Sequence, residues 1–256
     1  MQIRLATQVV YFLSLSLLTC ACGLIPNMSG DSKSNAEKAQ IYLEMGINYL
    51  EFDKLDIAKE KLDLALRYDS SNPNIYNALG SFYEHIKDYA NAEMSYDSAL
   101  SKGPDNFVVE ANVGRYYCER GNFEKGISLT QEAIEQPMNN RQWYAYTNKG
   151  VCFEKQNNFA KAEEFFRLAL KLQPEFAPAL LEMQKISYEN RQYMSARAFL
   201  ERYLSVSQHT PQSLWIAFQT ERALGNSKAA EDYANQYLET FPAAKESDQI
   251  RTLLGK

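Results

Sequence analysis

The most regular feature of the chain is a pattern of small, aliphatic and aromatic residues that returns about every 34 residues. It is clearest at Gly46, Gly80 and Gly114, each of which follows an apolar residue and precedes an aromatic residue by three positions. Within each copy, apolar residues recur at the three- and four-residue spacing of an amphipathic helix. Polar turn formers separate two such segments. The pattern therefore predicts helix pairs joined by short turns in an all-α fold.

Further copies of the pattern continue towards the C-terminus. A fourth copy arrives two residues late, around Gly150, and weaker copies pass through Leu180 and Leu214. A fixed step of this length indicates a stacked array rather than one globular core. We predict six repeats within residues 36–244, at about 39–72, 73–106, 107–140, 143–176, 177–210 and 211–244, then a capping helix at 245–256 with Ser247 as its N-cap.

The repeats resemble the tetratricopeptide repeat (TPR). A small residue in the first helix and a central alanine in the second, such as Ala58, Ala92 and Ala162, allow the two helices to approach closely. The resemblance implies a right-handed superhelix whose concave surface is lined by the first helices. It also implies that this surface binds other proteins.

The first helix of repeat one offers three apolar residues to this surface, whereas repeat two offers polar ones. An apolar patch at one end of a polar groove suits an amphipathic or extended partner segment. The alternative is that the N-terminal segment or a cap covers Leu43 and Ile47. The predicted partner-binding groove comprises Leu43, Ile47, Leu50, Asn74, Asn77, Ser81 and Glu84, with Arg115, Tyr144, Lys185, Tyr188 and Trp215 in later repeats.

The N-terminus has the features of a bacterial lipoprotein leader. Arg4 precedes an apolar run at 9–18, which is too short to span a bilayer as a helix. The residues that follow, up to Cys20 and Cys22, resemble a lipobox. We predict a signal peptide at 1–21 with acylation of Cys22.

Two alternatives to this assignment stay open. Cys20 is the other acylation candidate, and an ordinary cleaved signal peptide is the other type of leader. Residues 22–35 are rich in turn formers without helical periodicity, which predicts a flexible tether.

Composition excludes several classes of function. A net charge of -5 and a pI near 5.3 oppose binding to nucleic acid. The two histidines, His85 and His209, are far apart and neither has neighbours at metal-ligand spacing. No catalytic motif occurs in the sequence. We expect a binding protein that is not an enzyme and has no metal or cofactor.

Two cysteines remain outside the leader, and they are 34 residues apart at similar places in repeats three and four. Disulfides persist in exported proteins. We therefore predict a disulfide between Cys118 and Cys152. The alternative is a pair of buried free thiols, since packed helices often hold cysteines too far apart to bond.

A lipoprotein leader, a tether, six repeats and a short last helix resemble the pilotin family of type IV pilus biogenesis and stability lipoproteins. The segments 148–156 and 221–242 carry the same resemblance. It implies a monomer on the periplasmic face of the outer membrane, held by acyl chains, that binds secretin subunits and promotes their localisation and multimerisation for twitching motility. The alternative is a TPR lipoprotein that scaffolds peptidoglycan enzymes or outer-membrane protein assembly.

Overall fold

The computed structural model describes residues 33–255, and this part of the chain consists of thirteen helices without strands. The predicted signal peptide, Cys20 and Cys22 lie outside the described residues. The first twelve helices form six helix-turn-helix pairs, and the last covers the C-terminal end. The helices are α1 Asn35–Glu51, α2 Leu55–Tyr68, α3 Pro73–His85, α4 Tyr89–Lys102, α5 Phe107–Glu119, α6 Phe123–Glu135, α7 Gln142–Lys155, α8 Phe159–Leu172, α9 Ala177–Glu189, α10 Tyr193–Leu204, α11 Pro211–Ala223, α12 Ser227–Thr240 and α13 Ser247–Leu254.

Glycines in the first helices of repeats one to four allow each helix pair to pack closely. A Cβ atom added at these glycines would come within 2.7 Å of a side chain sixteen residues further on. No real Cβ atom tolerates such a contact, so a larger residue would push the two helices apart. The four pairs are Gly46 with Leu62, Gly80 with Tyr96, Gly114 with Thr130 and Gly150 with Phe166.

Repeats five and six lack these glycines but retain the helix pairing. The positions that correspond to Gly150 and Phe166 are occupied in repeat six by Phe218 and Ala234, both of which are buried in one apolar cluster. The large residue has moved from the second helix to the first. Because interiors are packed to nearly constant density, the pair conserves volume although both residues differ.

The turn inside each repeat contains one residue in the left-handed region of backbone conformation. The sequence predicted all six turns, and each includes such a residue. Only two of the six are glycine, so the other four carry the steric cost of a Cβ atom there. The residues are Asp53, Lys87, Gly121, Asn157, Arg191 and Gly225, with φ between 56° and 82°.

The first helix begins earlier than the sequence pattern suggested. Helix α1 starts at Asn35, inside the predicted tether, because Ser34 and Glu37 form a reciprocal capping box. The Ser34 hydroxyl accepts from the Glu37 amide at 3.1 Å, and the Glu37 carboxylate accepts from the Ser34 amide at 2.7 Å. This motif satisfies two otherwise unpaired amides, which extends the helix by a turn.

The expectation that Ser247 is an N-cap was wrong. Helix α13 starts at Ser247, and Glu246 occupies the cap position. The Ser247 hydroxyl instead donates to the main-chain carbonyl of Phe241 at 2.9 Å, and the Glu246 carboxylate accepts from the Tyr237 hydroxyl at 2.7 Å. These bonds and the buried Ile250 fix α13 against α12.

Candidate functional site

The first helices of successive repeats present the residues predicted to form the groove, but Leu43 is not available to a partner. Its side chain is only 3% exposed and packs in the core of repeats one and two. Ile47, one turn later, is 39% exposed, and Leu50 borders a surface cavity. The prediction for Leu43 was wrong because α3 and α2 cover that face of α1.

The predicted polar residues of repeat two are largely engaged within the protein. The side-chain oxygen of Asn74 accepts a hydrogen bond from the side-chain amide of Asn106 at 3.1 Å. The Ser81 hydroxyl lies 3.2 Å from the Tyr96 hydroxyl. Asn77 is buried, and the oxygen of its side-chain amide has no hydrogen-bond partner. Ser81 and Glu84 still border the surface cavity.

Arg115 joins repeat two to repeat three. Its guanidinium donates to both carboxylate oxygens of Glu84, at 2.9 and 3.1 Å, and to Glu119 at 2.6 Å. The Tyr96 hydroxyl also donates to Glu84, at 2.8 Å. Burial, reinforced by the Glu84 charge, raises the pKa of Tyr96. The two-pronged geometry is the one in which arginine binds carboxylate most specifically.

A covalent bond joins repeat three to repeat four. The structure contains the Cys118–Cys152 disulfide, with the two Cα atoms 5.0 Å apart. The Asn148 amide donates to the Ala111 carbonyl at 3.0 Å across the same junction. Helix α7 consequently packs closely against α5 and α6.

The disulfide occupies space that is left free by a glycine. The second helix of repeat three has Gly126 where the other repeats have alanine. A Cβ atom at Gly126 would be 2.2 Å from Cys118 Sγ and 2.6 Å from the carbonyl oxygen of Gly114. The disulfide in this position therefore requires a residue without a side chain at 126.

At the next junction, between repeats four and five, α8 packs against α9, but the first helices α7 and α9 are separated. The backbone of α7 barely approaches α9, and a cavity of about 510 Å³ lies between them. We call this cavity the central groove. Its floor is mainly apolar, and its wall includes the paired side chains of Arg115 and Glu119 on α5. The floor residues are Val151, Ala177, Pro178, Leu181 and Tyr203.

Three charged residues span the central groove. Lys185 of α9 donates to the Glu154 carboxylate of α7 and lies 3.5 Å from a carboxylate oxygen of Glu182. That oxygen is buried and makes no hydrogen bond. Burial, opposed by Lys185 and reinforced by Glu154, raises the pKa of Glu182 to about 7. Glu182 therefore changes charge near neutral pH.

Sequence reasoning did not identify Glu154 or Glu182 as site residues. The available signal was the two-residue delay of the fourth copy. The two extra residues lengthen the connection between α6 and α7. The side-chain amide of Asn139 stabilises this connection by donating to the main-chain carbonyl of Ala133 at 2.6 Å. The delay marks the place where the regular stacking of first helices changes.

The two histidines lie in different repeats and have separate contacts. His85 is exposed and contacts Asp53 at 2.8 Å. His209 packs against Tyr233, and burial lowers the pKa of its imidazole. Within residues 33–255 no three His, Cys, Asp or Glu side chains are placed to hold a metal ion. No helix in that range is long and apolar enough to cross a membrane.

Comparisons with known proteins agree with the repeat architecture. Models of the tetratricopeptide repeat family match residues 43–107 and 143–176. The type IV pilus assembly protein PilF of Pseudomonas aeruginosa is 23% identical over 242 residues, which cover 94% of this chain and 96% of that protein. An uncharacterised Haemophilus influenzae protein is 25% identical over 126 residues, covering 49% of this chain and 70% of its own length.

Two solved structures share the fold over nearly their whole length. The crystal structure of PilW, described as a widely conserved type IV pilus biogenesis factor, is 27% identical, has a TM-score of 0.65, and covers 84% of this chain and 98% of its own. The Pseudomonas aeruginosa PilF structure is 23% identical, with a TM-score of 0.62, and covers 86% and 99%. The chain therefore contains tetratricopeptide repeats, is homologous to PilF and is similar in structure to PilW.

Proposed function

We propose that this chain is a type IV pilus biogenesis protein that binds secretin subunits and promotes their localisation and multimerisation at the outer membrane. The observation that carries the proposal is the similarity to PilF over 94% of the chain and 96% of that relative. The likeness extends over nearly the whole of the PilW and PilF structures.

The inner surface of the first helices supplies the binding surface in this proposal. Ile47 and Leu50 offer apolar area in repeat one, and the central groove offers an apolar floor between α7 and α9. Apolar floors with polar rims are typical of surfaces that bind a protein segment. Many charged side chains nearby pair within the protein, so apolar contact supplies a large part of the affinity.

Lipid anchoring completes the proposal. We propose that Cys22 is acylated and that the segment of about twelve residues before α1, which the sequence predicts to be a tether, gives a reach on the order of 20 Å. The scaffold then stays close to the membrane without a fixed orientation, and a bound secretin segment travels with it. The gain is one of effective concentration at the target membrane.

The proposal is tested by expressing matched aspartate variants in cells that lack the wild-type protein. Ile47→Asp has a natural control in Ile57→Asp, because both residues are 39% exposed and Ile57 lies on the second helix α2. Leu181→Asp in the central groove is matched by Leu172→Asp, an exposed residue at the end of α8. Circular dichroism melts and acylation assays establish that each variant is folded and anchored.

We expect at least one groove variant to abolish the heat-resistant secretin multimer and twitching, while both controls retain them. Multimers that survive in all four variants would contradict the groove as the secretin site. A deletion strain that keeps its multimers but becomes sensitive to envelope stress would contradict the pilus function and favour a role in outer-membrane or peptidoglycan assembly.

A further inference from the structure

The charges around the central groove are unbalanced in favour of carboxylates. Arg115 forms ion pairs with both Glu84 and Glu119, and Lys185 forms ion pairs with both Glu154 and Glu182. Each cluster thus contains two acids for one base. The charged groups that face the groove, or lie in contact with those that do, are Glu84 on α3, Arg115 and Glu119 on α5, Glu154 and Lys155 on α7, and Glu182, Lys185 and Glu189 on α9.

The imbalance is sharpest at the apolar floor. Glu154 is only 8% exposed, and the Lys185 ammonium that it accepts from is shared with Glu182. Glu182 lines the cavity, and one of its carboxylate oxygens is buried without a hydrogen bond. A buried carboxylate without a full set of donors costs free energy, which a further donor recovers.

We propose that the segment bound in the central groove carries a lysine or arginine side chain, flanked by apolar residues, that pairs with Glu154 and Glu182. This inference rests on the proposed function and specifies the chemistry of the bound segment. The apolar flanks cover Val151 and Leu181, and the cation supplies the donors that Lys185 alone cannot. An acidic segment would add a third carboxylate to the cluster, so it is disfavoured.

Binding of such a cation is coupled to a proton. The pKa of Glu182 is raised to about 7 by burial and by its Glu154 neighbour, so a substantial fraction is protonated at neutral pH. A second positive charge beside it lowers that pKa. The carboxyl group then loses its proton when the segment binds, and the proton appears in the buffer.

Two labelled ten-residue peptides test the inference on the folded, disulfide-bonded protein. One has a lysine between two leucines in a serine background, and the other has glutamate in place of lysine. Fluorescence anisotropy measures their dissociation constants. Since a charge-assisted hydrogen bond in a partly buried site is strong, we expect the lysine peptide to bind about tenfold more tightly.

The double variant Glu154→Gln with Glu182→Gln should reduce this preference to about twofold or less. The control Glu163→Gln, on the outer helix α8 beside Arg167, should leave it unchanged. Calorimetry in buffers of different ionisation enthalpy should show proton release at pH 7 that disappears in Glu182→Gln.

Equal affinity for the two peptides, or a lysine preference that persists in the double variant, would overturn the inference. So would failure of both peptides to bind below about 1 mM. The proposed function is judged separately, because the secretin assay with Leu181→Asp does not depend on either peptide. A positive secretin assay with a negative peptide assay would reject only the basic side chain.

Discussion

The two junctions on either side of α7 are built in opposite ways. Towards repeat three, α7 is tied to α5 by a disulfide and by the Asn148 hydrogen bond. Towards repeat five, its backbone barely approaches α9, and charged side chains span a cavity of about 510 Å³. Helix α7 is therefore bonded to repeat three on one side and borders the central groove on the side of repeat five.

The contrast shows how a repeat protein creates a local binding site without abandoning its repeat. Because each repeat contacts only its neighbours, close packing of α7 on repeat three can be combined with separated first helices towards repeat five. The covalent bond fixes α7 to α5 on the closed side. Variants that act on one junction at a time can test this account.

Removal of the disulfide should have the largest effect on stability. The bond closes a loop of 34 residues, for which loop entropy gives about 3–4 kcal/mol. We expect the variant Cys118→Ala with Cys152→Ala to lose this amount in urea unfolding. The free energy of unfolding of the wild type in reductant should approach that of the variant. The stability of the variant should be the same with and without reductant. An unchanged midpoint would show that packing alone holds α7 on α5.

Gly126→Ala should have the next largest effect. The added methyl group meets Cys118 Sγ and the Gly114 carbonyl, and overpacking of this kind costs about 1–3 kcal/mol. The cost should fall in the disulfide-free background, because one of the two obstacles is removed. A double-mutant cycle from urea denaturation measures the difference. Additive free energies would contradict the steric link between glycine and disulfide.

Glu182→Gln should alter the pH dependence of stability on the open side of α7. The pKa of Glu182 rises from 4.5 to about 7 on folding, so its contribution is fully present below pH 4.5 and is lost as pH rises through 7. We expect a change of about 1–2 kcal/mol between these values after allowance for solvent screening. The variant should show a flatter profile in melts from pH 4.5 to 8. An identical slope in both proteins would exclude Glu182 as the titrating group.

The turns that flank the two junctions should give the smallest effects. Arg191 follows α9 on the open side with φ of 61°, and Gly121 follows α5 on the closed side with φ of 82°. Arg191→Gly should therefore stabilise by about 0.5–1 kcal/mol, and Gly121→Ala should destabilise by about 1 kcal/mol. Thermal melts measure both. Opposite signs would mean that turn conformation does not limit stability.

The candidate site was less accessible to sequence reasoning than the fold. The expected groove centred on Leu43, Ile47 and the polar residues of repeat two. Leu43 proved to be a core residue, and Asn77 is also buried. The central groove lies between repeats four and five, and of its lining residues the sequence had indicated only Arg115 and Lys185. A face of a helix can be predicted from periodicity, but its covering by neighbours cannot.

The sequence by itself determined the helices, the turns and the pairing of small with large residues inside each repeat. These features depend on contacts within about 34 residues, where periodicity fixes which side chains meet. It also indicated the partners of the disulfide, because equal spacing places Cys118 and Cys152 at neighbouring levels of the array.

Only the tertiary structure decided which junction is closed and which is open. The position of α7 results from an extended connection, a missing methyl group at Gly126 and a covalent bond acting together. The approach of Glu154 and Glu182 to one lysine follows from that position. Such arrangements depend on small rotations between repeats, and these rotations are set by side-chain volumes and contacts between repeats rather than by any local pattern.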